Sequence, residues 1–102
     1  MIYNLEISSA AENDLRAAFI YYENEVSGLG FKFKKQAEFT MNVITRNPLK
    51  VQIRYRDVRV AWLKKFPFGV HFSIDGSTII ILAIFHSSEN PFKWQSRVDS
   101  IL

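Results

Sequence analysis

Lys64, Lys65, His71, His86 and Arg97 are the residues of this 102-residue chain best suited to chemistry. Histidine is the side chain whose ordinary pKa lies near neutrality, so His86 and His71 are the candidate proton carriers. Lysine and arginine supply fixed positive charge of the kind that steadies a developing oxyanion. Acid–base chemistry through a charged transition state asks for this combination: a group that takes a proton, cations on the developing negative charge, and a proton donor for the leaving group. Under that reading Lys64, Lys65, His86 and Arg97 are the catalytic candidates. Binding is the other use of the same charges. Arg54, Arg56 and Arg59, interleaved with Tyr55, read as a basic stripe, and with Lys64, Lys65, His71 and Trp94 they make up the candidate surface for a macromolecular partner.

Each of these residues also has a plainer reading. His86 stands where a strand leaves its sheet, and a hydrogen bond to the Pro91 loop would lock the C-terminal segment. His71 reads as a solvated strand residue. Lys64-Lys65 protects a strand edge, and Trp94 closes the core at its spacing from Ile101. Alternation alone puts Arg54 and Arg56 on one solvated face. Two histidines without carboxylates at ligand spacing argue against a metal site, and no cofactor is implied. The chain has no cysteine, which excludes thiolate nucleophiles, disulfide frameworks and Cys-ligated zinc. No apolar run approaches the roughly 18 residues of a membrane span. Residues Met1 to Asn4 carry no basic leader, so the expectation is a cytoplasmic protein without a membrane partner. A net charge of +3 favours an acidic partner, whether protein or nucleic acid.

The elements that must position these groups follow from periodicity. At this length, residues 1–102 read as one domain. Ile2, Leu5 and Ile7 suggest a first strand. Ser9-x-x-Glu12 has the spacing of a capping box and predicts a helix with Ala11, Leu15, Ala18, Tyr22 and Val26 on its apolar stripe. Glu12, Asn13, Arg16 and Glu23 fall on its solvent side. Gly28 and Gly30 suit a left-handed cap and a tight reversal. A second, antiparallel helix then buries Phe33, Ala37, Met41 and Ile44 and ends at Asn47-Pro48, with Phe31 and Phe39 off its stripe. From Val51 the period becomes two, and a second strand is expected over Val58 to Leu63. In the meander from Ala61 to His86, Asp75-Gly76 suits a type I′ turn. Strict alternation there puts Val70, Phe72 and Ile74 opposite in face to His71, Ser73 and Asp75, and separates Thr78, Ile80, Leu82 and Ile84 from Ile79, Ile81, Ala83 and Phe85. A short C-terminal helix runs from Pro91 through Trp94, Arg97 and Ile101. The expected fold is α+β: an N-terminal strand and a helical hairpin packed on one face of a mostly antiparallel four-stranded sheet, whose other face is wet and free.

This order of elements resembles the RelE/ParE superfamily of bacterial type II toxins over nearly the whole chain. The resemblance is carried by Ala11-Glu12-Asn13-Asp14-Leu15, Tyr21-Tyr22-Glu23, Gly28-Leu29-Gly30-Phe31 and Asn47-Pro48. It is strongest in Lys65-Phe66-Pro67-Phe68, Val70 to Ile74, Ile81 to His86, Pro91 and Trp94, which are similar to ParE-like members in order and spacing.

The resemblance implies a toxin silenced by a cognate antitoxin, usually encoded beside it as in plasmid stabilisation systems, in a toxin-antitoxin hetero-oligomer. ParE-type toxins poison DNA gyrase by binding it, whereas RelE-type toxins cut messenger RNA in the ribosomal A site. The RelE-type set of groups is incomplete here. His71, Ser73 and Asp75 occupy the strand where an arginine is expected of a nuclease, and no Tyr or His follows Trp94. The expectation is therefore a ParE-like toxin that binds a target protein. The alternatives are a ribosome-dependent endoribonuclease and an inactive toxin-like binding scaffold.

Overall fold

Ser8, not Ser9, opens the first helix. Its N–H is held by Ile81 O at 3.0 Å, which keeps its backbone extended, and its Oγ accepts from Ala11 N at 3.1 Å. The computed structural model describes residues 2–101, so Met1 and Leu102 lie outside it. Helix α1 (Ser9–Glu25) buries Ala11 and Ala18, with Leu15 and Tyr22 packed against the same core. Gly28, at φ 89, adopts the left-handed conformation directly before α2 (Leu29–Arg46). Gly30 has a different role from the expected reversal: it lies inside α2, where an added Cβ would fall 2.6 Å from the Phe19 carbonyl oxygen. It lets the two helices approach closely there. Glu23, expected in solvent, instead accepts from Gly28 N at 2.8 Å and Gly30 N at 2.9 Å, so a carboxylate of α1 caps the positive end of α2. Phe33, Ala37, Met41 and Ile44 form the buried face of α2, and a 3₁₀ turn (Pro48–Lys50) follows it.

The sheet has five strands rather than four: β1 (Asn4–Ile7), β2 (Ile53–Tyr55), β3 (Val58–Trp62), β4 (Phe68–Asp75) and β5 (Thr78–His86), in the order β1-β5-β4-β3-β2. The extra strand is β2, which pairs with β3 through a two-residue loop, Arg56-Asp57, with Arg56 at φ 50. Strand β1 runs parallel to β5 and the other pairs are antiparallel. The β4–β5 turn is centred on Gly76 and Ser77, because Asp75 pairs with Thr78; positive φ falls on Gly76 alone, as a type II′ turn requires, and Asp75 stays in the strand.

Strict alternation along β5 fails at Leu82. His71 pairs with Ala83 and Phe72 with Ile81, leaving Leu82 as an extra residue. After this bulge Ile84 joins Ile79 and Ile81 beneath the helical hairpin, whereas Ala83 and Phe85 turn to the other face with Leu82. The hairpin-side core is filled by aromatic rings: Phe33 lies 5.4 Å from Tyr22, 5.3 Å from Phe66 and 5.0 Å from Phe68. The opposite face, expected to be wet, is a second core. Helix α3 (Pro91–Ile101) lays Trp94 and Val98 over it, burying Val58, Leu82, Ala83, Phe85 and His71.

Candidate functional site

Among the sequence-predicted residues, Arg97 departs most from its expected freedom. Its Nη1 and Nη2 donate to the two carboxylate oxygens of Asp14 at 2.8 and 3.0 Å, and Nη1 also reaches the Leu82 carbonyl at 3.1 Å. Asp14 Oδ2 in turn accepts from Ile84 N at 3.0 Å. The pairing of β1 with β5 stops at Ile7 and Ile81, so beyond it Ile84 N has no strand partner and Leu82 O has, besides Arg97, the Ser8 hydroxyl at 3.4 Å. Asp14 and Arg97 stand in for the missing strand. The guanidinium also lies 4.7 Å from the Phe85 ring centroid, which completes its surroundings. Asp14 was not among the predicted site residues, although a signal existed. It falls three residues after Ala11 and four before Ala18, on the buried arc of α1, where a carboxylate demands a partner.

His71, expected at a solvated position, is fully buried. Its neighbours are Trp94 at 4.8 Å, Phe85 at 5.2 Å and Tyr55 at 5.8 Å between ring centroids. Tyr55 Oη and His71 Nδ1 share a hydrogen bond of 2.9 Å. Burial, then the positive charges of Arg54 and Arg97, push the His71 pKa down to about 4. Burial pushes the Tyr55 phenol up to about 12. Neither group exchanges protons near neutrality. Among the described residues, the buried His71 Nε2 and Trp94 Nε1 have no hydrogen-bond partner.

His86 is half-buried at the end of β5. Its Nδ1 accepts from Ser88 N at 3.0 Å and lies 2.8 Å from Ser88 Oγ, which ties it to the loop ahead of α3. Its ring stands edge-on to Phe68 at 5.1 Å. It borders a hollow of about 280 Å³ with Asp14, Ala18, Phe68, Glu89 and Lys93. Lys64 and Lys65 are exposed on the segment joining β3 to β4. Strands β3 and β5 flank β4 and point the same way, so Lys64, Lys65 and His86 share one rim of the sheet. Among the described residues no hydrogen bond or ion pair joins them.

The three arginines diverge. Arg54 is exposed near His71, Arg56 pairs with Asp99 of α3, and Arg59 donates to the Val51 carbonyl from the hairpin side of the sheet, where it pairs with Phe72. Trp94 is buried; Trp62 is the tryptophan at the surface, with its ring against Gly69, where an added Cβ would lie 3.0 Å from it.

A family model described as the ParE toxin of the type II toxin-antitoxin system parDE matches residues 5–91. The chain belongs to this ParE toxin family. The fold of this ParE-family chain is that of solved toxins. The chromosomal ParDE system of P. aeruginosa superposes with a TM-score of 0.76 at 20% identity, covering 83% of this chain and 96% of that one. An arginine double mutant of free E. coli RelE gives 0.73 at 14% identity over 100% of both chains. The RelBE2 toxin-antitoxin complex of Mycobacterium tuberculosis gives 0.60 at 20% identity, covering 84% and 99%. No curated protein matches. Among the described residues no helix is long and apolar enough to cross a membrane, and no group of three or more His, Cys, Asp or Glu is placed to hold a metal ion.

Proposed function

We propose that this ParE-family chain acts by binding a target protein, with DNA gyrase as the precedent, and that a cognate antitoxin neutralises it. One observation carries the choice against RNA cleavage: Arg97, the arginine among the catalytic candidates, is bonded to Asp14 and to the β5 backbone. Three of the five guanidinium donors are so engaged and the charge is paired with a carboxylate, which holds Arg97 in place rather than leaving it as a free cation. His71 is sealed and neutral, which removes a second proton carrier. The antitoxin partner is supported by the solved relatives, several of which are toxin-antitoxin complexes.

The experiment is a pair of assays on the purified chain. Gyrase-dependent trapped DNA breaks with intact messenger RNA are expected; translation arrest with cut messenger RNA and no trapped breaks would overturn the reading. The second reading is a ribosome-dependent nuclease, favoured by His86, Lys64 and Lys65 sharing one rim. It expects His86→Ala to abolish RNA cleavage with folding retained.

A further inference from the structure

The rim of the sheet where β3 and β5 both end presents two large rings to solvent. Trp62, the last residue of β3, is 40% exposed, and Phe92, in the first turn of α3, is 80% exposed. The indole lies on the α3 face. Alternation along β3 groups Trp62 with Val58, which packs beneath α3, and opposes it to Ala61, which packs beneath the helical hairpin. Ser87 N donates to Pro67 O at 2.7 Å, so the loop that leads to Phe92 is tied to the β3–β4 segment that follows Trp62. Chain order scatters these residues, and the fold gathers them at one end of the molecule.

Trp62 has a built seat. It pairs with Gly69, the second residue of β4, where an added Cβ would lie 3.0 Å from two carbons of the indole and 2.7 Å from Val60 Cγ1. Glycine weakens a strand and marks the close approach of another group. Here β4 gives up a side chain and the indole occupies the space beside its backbone. A ring held in this way loses little freedom when a partner covers it, which is the property of an effective aromatic anchor.

The charge at the rim is one-sided. Lys64 and Lys65 follow Trp62 and are exposed, and among the described residues neither takes part in an ion pair. On the α3 side Glu89 pairs with Lys93 and Asp99 with Arg56, so the charges there cancel. A second copy of the chain would set these lysines against their own kind. A single strand of nucleic acid asks for cations along its whole track, and here carboxylates interrupt it. Exposed rings with charge at their margin have the anatomy of a protein interface.

We propose that Trp62, seated on Gly69, and Phe92 are the anchors with which the chain grips its target protein, and that Lys64 and Lys65 pair with carboxylates on an acidic surface of that target. The assignment of the partner as the target rests on the target-binding reading above.

Two measurements separate the rim from that reading. In the first, the chain and its variants are induced in a bacterial host, survivors are counted and messenger RNA is inspected for cuts. The parent is expected to arrest growth with messenger RNA intact, and Trp62→Ala, Phe92→Ala and K64E/K65E are each expected to restore survival. In the second, affinity for purified DNA gyrase is followed by fluorescence anisotropy of the labelled chain. Trp62→Ala should weaken it about thirtyfold, as truncation of a hot spot does, and Gly69→Ala, which keeps the indole but displaces it, should weaken it in the same direction. Urea melts check folding; if Gly69→Ala does not fold, the exposed positions Trp62 and Phe92 decide. Folded Trp62→Ala and Phe92→Ala variants that remain as toxic as the parent would overturn the rim proposal and leave target binding standing. Cut messenger RNA in the arrested cells, or no arrest at all, would overturn the target-binding reading and the rim proposal with it. Arrest without gyrase binding removes gyrase as the target, and survival of the variants then supports the rim against a different protein.

Discussion

The two faces of the sheet are built on different terms. Beneath the helical hairpin, rings and aliphatic chains meet with no buried charge: Phe33, Phe72, Ile79, Ile81 and Val70 are sealed, and Tyr22, Phe66 and Phe68 close around them. Beneath α3, a histidine and an indole are buried with unpartnered nitrogens, and the cover is one helix fastened by the pairs Arg97 with Asp14 and Arg56 with Asp99. A face that buries polar atoms without partners gives up part of its hydrophobic stabilisation. The hairpin face therefore holds the fold, whereas the α3 face is the part whose closure is cheapest to undo.

The sharpest way to test that contrast is to truncate the centre of the hairpin core. Phe33→Ala removes a fully buried ring from four-way aromatic packing. It should cost about 3–5 kcal/mol, read as a drop in the urea midpoint. On a domain of ordinary stability this leaves a large unfolded fraction at 37 °C. A loss below about 1 kcal/mol would show that the α3 face, not this one, dominates.

The next effect belongs to the other face and depends on pH. His71 has a folded pKa of about 4, pushed down by burial and by Arg54 and Arg97, against the ordinary 6.5. The unfolded chain thus binds the proton more readily than the folded one. Stability is unaffected above about pH 6.5 and falls as pH drops toward 4, by roughly 3 kcal/mol if the whole shift is expressed. Denaturation midpoints measured between pH 7 and 4 should show this slope in the parent chain. His71→Leu, which also deletes the unpartnered Nε2, should flatten it. An equal slope in both proteins would place the acid sensitivity elsewhere.

The clamp on β5 comes third. Asp14 and Arg97 are 17% and 18% exposed, so breaking the pair strands a largely desolvated charge. Arg97→Ala should cost about 2 kcal/mol, and a double-mutant cycle with Asp14→Asn should return a coupling of about 1 kcal/mol or more. Hydrogen exchange should quicken first at Ile84, whose N–H the Asp14 carboxylate holds. Additive single effects would mean that the pair is incidental to the edge.

The same contrast separates what was legible in the sequence from what was not. The buried stripe of α2 and the helical hairpin were readable from local period, as was the meander. Two periods failed locally. The bulge at Leu82 returns Ile84 to the hairpin side, and alternation carries no mark of it. The run before Asp57 is a strand of its own because Arg56 accepts a positive φ that favours glycine or asparagine. The face under α3 was misread as wet because its cover comes from far along the chain: Asp14 and Arg97 are 83 residues apart. A histidine in an alternating strand looks solvated until a distant helix lays a tryptophan over it. For the same reason Arg97 looked like a free cation, and the hollow beside His86 had no sequence signature.

The smallest expected effect tests whether the C-terminal half of α3 is fastened by one ion pair or by two. Arg56 and Asp99 are 46% and 59% exposed in their side chains, so water and salt screen their attraction. Asp99→Asn should therefore cost less than about 1 kcal/mol. Arg56 also carries backbone strain at φ 50, which glycine relieves. Arg56→Gly loses the same weak pair but removes that strain, so it should destabilise less than Asp99→Asn, or even stabilise, in matched urea melts. If Asp99→Asn cost as much as Arg97→Ala, the exposed pair would be a true second fastening and α3 would open as one rigid piece. The expected inequality instead leaves the C-terminal half of α3 held chiefly by the Asp14 clamp, with Val98 over Val58 and Leu82 the contact that loosens when that clamp is lost.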